Sequence, residues 1–579
     1  MNRIGRRTTV AGLLGLFVSP AYSAGERRPV SLRAFGAVGD GVADDSPAWN
    51  EFIEAAAETG EGFVPAGHYR LNHPTRFSPS GAGVRLLGAG SDKVLLDATH
   101  SPRATLFALV DAPLHISGLS TRNLMLVEAH ETMTASISAL AIHDWKWTND
   151  AAAGVRALSI FTPYETHPYR IDDVTISSVS GSGGVCGLWL RTAMRSCRIN
   201  AVDIRNIHVP DSGNWYYQSR PDRMNAIGTA CAIHIGDDRA DAQRQFERCE
   251  IGTVLVDGVR DDRRLKGNEE TAANCDGVRI LARNVEFDNV TIRNVSNHSR
   301  RDCTGLYAKV VGLKGKTLTI ENAGHHEASM TLKGTGRSRS SSGARGGKVR
   351  LDRVMISNTQ GFVGRPAVYL RCEDVAIKDM EIVGCGGDVE DPYAPGKRIS
   401  GASAVVRMSP PLGGQAAMGD VRLDRLVMRD CVLGGLWERW AVGLGAYRRI
   451  RLGEVVCDGL SNAGRFAHQS AAYGQDIAVL AFAESMVGCD VLEIGRVVAR
   501  NCHAPGRMAR VLHLMGRAPL REVRLGPIDS DLTFDETVKI SGDEPIGAFA
   551  WRADCFRPTI RIETAPLRST TLPSSNNDC

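Results

Sequence analysis

The chain has 579 residues, of which 43% are hydrophobic, only 6% are aromatic and 61 are glycines. That much apolar material can fill several cores or one long repeat architecture, and it excludes a globally disordered chain. The net charge of +4 is spread over interspersed acids and bases, which excludes a protein that holds nucleic acid on a basic face. Most of the basic residues are Arg, which can clamp carboxylates through two hydrogen bonds; a coding bias explains the preference equally well.

Residues 1–24 read as an export signal. A basic start is followed by a short apolar run, Ala11 to Val18, and by the small residues Ala21, Ser23 and Ala24. The pair Arg6-Arg7 before a weakly hydrophobic run has the form of a twin-arginine signal, which implies folding before export to the periplasm or beyond. No later apolar run reaches the ~18 residues of a membrane-spanning helix, so no span is expected.

The next segment is FGAVGDGVADDSPAWNEFIEAAAETGEGFVPAGHYRL, Phe35 to Leu71. Asp44, Asp45 and Ser46 are candidate helix N-caps, and Pro47 suits the first turn. Trp49, Phe52, Ile53 and Ala56 share one face of a helix that stops near Gly60. FVPAGHYRL then reads as two short strands around a Pro-Ala-Gly turn. Asp40, Asp44 and Asp45 are therefore read as turn and cap residues and not as catalysts.

Further along, one frame recurs: apolar, any, apolar, two polar or small residues, then apolar or Cys. It appears as VTISSV from Val174, VDIRNI from Val202, VLVDGV from Val254, VTIRNV from Val290 and LTIENA from Leu318. It returns as VMISNT from Val354, MEIVGC from Met380, LVMRDC from Leu426, VVCDGL from Val455 and VVARNC from Val497. Period-two apolar residues make each copy a strand, and the Asn, Asp or Gly that follows supplies a turn. Repeats of this length stack as coils of a parallel β-solenoid about 4.8 Å apart, with loops of variable length leaving at the turns. Cys385, Cys431 and Cys502 would share one inward ladder position. Of the 14 cysteines few are spaced as metal ligands, and no CxxC occurs; Cys555 and Cys579 could pair.

The opening FGAVGDGVADD, then GEGFVPAGHY, together with the repeats, resembles the pectate-lyase-like, right-handed parallel β-helix superfamily. The resemblance covers most of the chain after residue 24. It implies an all-β, right-handed parallel β-helix with an N-terminal capping helix over residues 25–532, then a C-terminal cap and tail over 533–579. That start is shared by polygalacturonases, rhamnogalacturonases, glucanases, alginate epimerases and phage tailspikes, so it speaks for fold and not for chemistry.

Between Asn274 and Arg371 the chain carries NCDG, RDC, GHH and YLR in order. This order resembles the polygalacturonase family, whose successive coils carry NTDG, an Asp pair before Cys, GHG and RIK. The resemblance implies Asp276 and Asp302 as acid/base residues and His325 as the group that orients or relays protons. It places Arg371 where the family has its basic substrate-binding residue, with Tyr369 in place of the neighbouring Arg. Arg301 stands where the family has the acid that protonates the leaving group, and His326 replaces the second glycine of GHG. An Arg beside Asp302 would keep that carboxylate ionised and could bind a substrate carboxylate. Another acid would then be needed for hydrolysis, with Asp261, Asp262 or Glu327 as candidates. β-Elimination is the alternative, and a non-catalytic carbohydrate-binding or structural β-helix is a third reading, since Asn-x-Asp-Gly is also an ordinary turn.

HIGDDRADAQRQFE, with His234, Asp237 and Asp238, reads as a polar loop. HDWKW (143–147), NWYY (214–217) and LWERW (436–440) offer aromatics that either stack on sugars or pack under loops. The stretch from Thr335 to Lys348 is a basic, flexible insertion beside the candidate site. The partner expected is a polysaccharide, acidic by the Arg residues. No cofactor is expected, with Ca2+ admitted only for a lyase, and the signatures of phosphate-binding loops, zinc sites and serine hydrolases are missing from the sequence.

Overall fold

The computed structural model describes residues 29–562 except 79–82, 102–104, 108–109, 128–131, 148–154, 163–168, 182–183, 193–195, 211–229, 237–245, 263–274, 298–302, 324–327, 335–346, 360–365, 387–403, 409–417, 434–439, 446, 462–476, 483–487, 504–508, 517–519, 532–537, 543–545 and 552–559. The export signal and the Cys555 and Cys579 pair expected from the sequence lie outside the described residues.

All ten copies of the recurrent frame begin in strands, and the last five run two residues past the strand end. The fifth residue of every copy is left-handed: Ser178, Asn206, Gly258, Asn294, Asn322, Asn358, Gly384, Asp430, Gly459 and Asn501 have φ between 50 and 84°. A side chain in that region costs about 1–2 kcal/mol, which Gly avoids and Asn or Asp offsets by local hydrogen bonding. Here the hydrogen bonds run from coil to coil. Asn322 Nδ2 donates to Asn294 Oδ1 at 2.9 Å, and Asn294 Nδ2 donates to Asp257 Oδ1 at 2.7 Å. The left-handed residue at this position bends the chain at the same place in every copy.

The coils form a 32-stranded sheet in which the described pairings are parallel. Two walls can be followed. The first contains Ser196–Val209, Phe246–Asp261, Lys348–Ser357, Asp374–Val383, Met418–Arg429, Tyr447–Asp458 and Cys489–Arg500. The second contains Val185–Thr192, Ala230–Ile235, Met330–Gly334, Val368–Arg371, Val406–Met408, Trp440–Gly443 and Ile477–Phe482. The long strands Cys275–Asn297 and Cys303–Ala323 belong to both walls. The result is an all-β, right-handed parallel β-helix with an N-terminal helical cap.

Stacking sets the core. On the second wall Leu188, Ile233, Val278, Leu306, Met330, Val368 and Val406 sit in register from coil to coil, each 2% exposed or less. Cys385, Cys431 and Cys502 do share one ladder position, with Leu460 between the last two, and all four are buried. Outside, in-register stacking sets side chains of neighbouring coils about 4.8 Å apart, and along one ladder of the first wall the charges alternate in sign. Arg353, Asp379, Arg425, Glu454 and Arg496 follow one another up five coils with N–O distances of 3.8, 2.9, 3.5 and 3.7 Å. The stacking continues through Ile560–Ile562, beyond the residue-532 boundary expected from the sequence.

The cap is helix α1 (Ser46–Thr59), the one α-helix among the described residues. It ends at left-handed Gly60 and turns Trp49, Phe52, Ile53 and Ala56 onto the first coil. Asp45 occupies the N-cap, but its side chain does not cap the helix. It accepts the amides of Val38 and Gly39 at 2.7 and 3.1 Å, while Asp44 Oδ1 accepts the Ser46 amide at 3.0 Å and its hydroxyl at 2.6 Å. Asp40 likewise accepts the amides of Val42 and Ala43. All three acids hold backbone turns.

Candidate functional site

Segments that vary in length from coil to coil, such as 211–229, 263–274, 335–346, 387–403 and 462–476, all enter or leave second-wall strands. That makes the outer surface of the second wall the place where one coil can differ from the next.

Asp276 lies on this wall, at the start of Cys275–Asn297. It is 1% exposed, and its Oδ2 meets Arg279 Nη1 at 3.1 Å. The Arg279 cation against the carboxylate offsets part of the cost of burying its charge. Gly277 beside it sits at a tight corner: a Cβ there would come within 2.5 Å of Ile292 Cγ2 and 2.7 Å of the Gly305 carbonyl oxygen. The glycine of this motif is therefore required by packing. The Cys275 thiol is pushed well up by burial first, then by the Cys303 thiol, then by the charges of Asp261 and Asp276. Both carboxylates thus lie near Cys275, and Asp261 is 3% exposed. Asp262, the other acid considered from the sequence, is engaged by His208 Nε2 at 3.0 Å and Arg260 Nε at 2.5 Å.

Tyr369 and Arg371 are on the same wall, on Val368–Arg371. The Arg371 guanidinium lies 4.8 Å from the Tyr369 ring centre, and both residues are buried. Register puts them three coils from Asp276, about 14 Å along the axis, so the three do not touch. Arg301, Asp302 and His325 lie outside the described residues, as do Asn274, Gly324, His326 and Glu327.

Register reveals a row that the sequence reading missed. Trp189, His234, Arg279, Tyr307, Thr331, Tyr369 and Arg407 stack in order along the second wall, Thr331 and Tyr369 buried and the others half-buried. Beside them run Leu281, Lys309, Lys333 and Arg371. Trp189 and His234 stack with ring centres 5.4 Å apart and planes inclined by 17°. Tyr307 has the Arg279 guanidinium 4.3 Å and the Lys333 ammonium 4.7 Å from its ring centre. Arg407 lies 5.9 Å from the Tyr369 ring. Cation–aromatic contacts of this kind hold extended cationic side chains in place. His234 therefore belongs to a strand and an aromatic stack, not to the polar loop expected; Asp237 and Asp238 lie outside the described residues. The signal that could have found the row is the aromatic or basic residue next to an apolar one in each second-wall strand.

The other aromatic motifs divide. Trp145 is a core residue, 1% exposed. Trp440 lies over Gly443 in a small apolar cluster with Ala404, Ala478 and Ala481 on the second wall, where the polar row ends. The 214–217 motif lies outside the described residues. On the first wall a groove of about 750 Å³ is lined by charged residues that pair with one another, Lys314 with Glu286 at 3.0 Å, Lys316 with Asp288 at 2.7 Å and Lys378 with Asp352 at 2.7 Å. None of the candidate residues reaches it. Among the described residues no three His, Cys, Asp or Glu side chains come together as a metal site, and no helix is long and apolar enough to cross a membrane.

Residues 30–191 match the family model described as rhamnogalacturonase A/epimerase, pectate lyase-like. No curated protein matches the chain significantly. Three solved structures are similar in fold. The tailspike protein gp49 from Pseudomonas phage LKA1 shares 10% identity over 79% of this chain and 84% of its own, with a TM-score of 0.34. The catalytic unit of the α-1,3-glucanase from Streptomyces thermodiastaticus shares 13% over 96% and 72%, with a TM-score of 0.30. The A-module of a mannuronan C-5 epimerase from Azotobacter vinelandii shares 13% over 94% and 100%, with a TM-score of 0.23. The sequence match over residues 30–191 and the stacked parallel coils agree: the protein is a right-handed parallel β-helix whose N-terminal part is similar to the pectate-lyase-like family model.

Proposed function

We propose that the protein is an exported carbohydrate-active enzyme that binds an acidic polysaccharide along the second wall and hydrolyses its glycosidic bonds. The observation that carries this reading is the row of aromatic and cationic side chains that continues from the buried Asp276–Arg279 pair to Arg407. From Arg279 to Arg407 the five successive coils contribute a cation each: Arg279, Lys309, Lys333, Arg371 and Arg407. At about 4.8 Å per coil the cations recur at roughly the spacing of sugar units in an extended chain.

Hydrolysis needs one ionised and one protonated carboxyl group across the scissile bond. Asp276, held by Arg279, takes the ionised role and accepts a proton from water or attacks directly. Asp302 or Asp261 supplies the proton to the leaving oxygen, and His325 orients the donor. A second reading has its own support. A carboxylate kept ionised among cations is also what β-elimination uses, the base taking the proton alpha to a uronate carboxylate that the cations neutralise.

The test is a screen of the mature protein against uronate-containing and neutral polysaccharides, following reducing ends and ultraviolet absorbance together, with Asp276→Asn alongside. Reducing ends without absorbance, lost in the variant, support hydrolysis. Absorbance rising with reducing ends supports elimination. Binding to a polymer with neither signal refutes both hydrolysis and elimination and leaves the wall as a carbohydrate-binding surface that cleaves nothing.

A further inference from the structure

The twelve described cysteines are all buried and all carry free thiols. Most donate to a backbone carbonyl. Cys186 donates to the Leu188 oxygen at 3.4 Å, Cys231 to Ile233 at 3.2 Å, Cys431 to Arg429 at 3.3 Å and Cys489 to Val491 at 3.3 Å. A thiol engaged in this way loses its hydrogen bond on oxidation. Cys275 and Cys303 face each other in register on neighbouring coils, yet they too turn to carbonyls, those of Ser296 and Val295, at 3.3 and 3.4 Å.

Cys186–Cys231 and Cys457–Cys502 bring thiols together as Cys275–Cys303 does, and in Cys197–Cys249 the thiol is also aimed at the neighbouring sulfur. Cys197 and Cys249 are directly in register on the adjoining strands Ser196–Val209 and Phe246–Asp261, and the Cys197 thiol points at the Cys249 sulfur, 2.8 Å away. That is closer than unbonded sulfurs ordinarily sit. Parallel neighbours have Cα atoms about 4.8 Å apart, within the ~4.4–6.8 Å that a disulfide spans.

We propose that Cys197 and Cys249 are a disulfide-forming pair that clamps two coils across the excursion carrying His234. One thiolate attacks a glutathione-type or protein disulfide and expels one sulfur as a thiol. The second thiolate attacks the mixed disulfide and expels the other. Two protons leave the pair, and its two electrons reduce the oxidant to two thiols. Both cysteines are 2% exposed or less, and burial, then the neighbouring thiol, pushes Cys197 well up from the ordinary thiol range. Exchange therefore precedes closure of the coil. The pair oxidises when the chain folds among oxidants and stays reduced when it folds first and is exported afterwards, so its state records where folding took place.

The test is to reduce and denature the full chain, refold it with reduced and oxidised glutathione, alkylate the remaining thiols and map the peptides. The same map is made on the chain exported unfolded into an oxidising compartment, which covers a failure to refold. The expected result is a Cys197–Cys249 linked peptide in wild type, with both of these thiols alkylated only after reduction. In addition, reductant should lower the melting temperature of wild type and leave that of Cys249→Ala unchanged. Folded protein with both residues alkylated, or with either linked elsewhere, overturns the proposal.

Discussion

Substituting Gly315 by Ala tests how the stacked core is filled. Phe287, Gly315 and Leu351 occupy one inward column on successive coils, and the Phe287 ring fills the space that Gly315 leaves. A Cβ on Gly315 would lie 2.1, 2.3 and 2.5 Å from three atoms of that ring, far inside contact distance. Phe287 is 5% exposed, so the ring has little room to retreat. Overpacking of this kind costs about 1–3 kcal/mol, and the three contacts put Gly315→Ala near the top of that range. Phe287→Leu alone should cost about 1 kcal/mol. In the Phe287→Leu background the clash is gone, and the loss of glycine's freedom in the unfolded chain should return about 0.4–1 kcal/mol. The cycle then closes with a coupling of at least ~2 kcal/mol. A coil stack need not unfold in one step, so the readout is amide hydrogen exchange within Cys303–Ala323, compared across the four proteins. Equal costs of Gly315→Ala in both backgrounds, within ~0.5 kcal/mol, would refute the packing account.

Asn322→Ala should destabilise its coil by about 1–2 kcal/mol, because φ is 51° there and the bond to Asn294 is lost; Asn322→Gly should be milder, and exchange of the flanking amides checks both. Acid should loosen the N-terminal coils before the rest. In Asp44 burial raises the pKa, but the Ser46 and Asn72 hydrogen bonds outweigh it; in Asp97 burial is likewise outweighed by Thr99, His68 and Arg122, so both carboxyls are held below their ordinary value. Their contribution is present above the unfolded carboxyl pKa and lost as pH falls through the lowered folded values, so protection of Asp40–Asp44 and Gly67–Arg70 should fall below about pH 4, ahead of the middle coils. Lys309→Met and Arg407→Met should each weaken binding of a polyuronate several-fold at low salt and flatten its salt dependence, with no effect on a neutral glucan; equal losses on both polymers would count against the anionic track.

The left-handed column was legible as turns because Asn, Asp or Gly recurs, in all but one copy, at a fixed offset from a period-two strand, and the backbone demand there is local. The cap was legible for the same reason, although Asp45 spends its carboxylate on Val38 and Gly39 and not on the helix. The aromatic–cation row was not legible. Trp189, His234, Arg279, Tyr307 and Tyr369 are separated by unequal lengths of chain, and only the strand register aligns them. Asp276 was found through its motif, but its partner was not, since an Arg three residues on has no meaning until the strand is seen to turn both side chains to one side.

The ladder from Arg353 to Arg496 also bears on the order in which coils can assemble. Every coil offers its neighbours nearly the same hydrophobic rungs, so a coil could be skipped at little apolar cost. Skipping the coil of Asp379 would set Arg353 against Arg425, and skipping that of Glu454 would set Arg425 against Arg496. Alternating sign thus acts as a parity check on the stack, rejecting every single-coil error along this ladder while leaving the correct sequence of coils unopposed. Because exposed charges are screened by salt, the check weakens as ionic strength rises, and refolding in concentrated salt should yield more misassembled chains than refolding in dilute buffer.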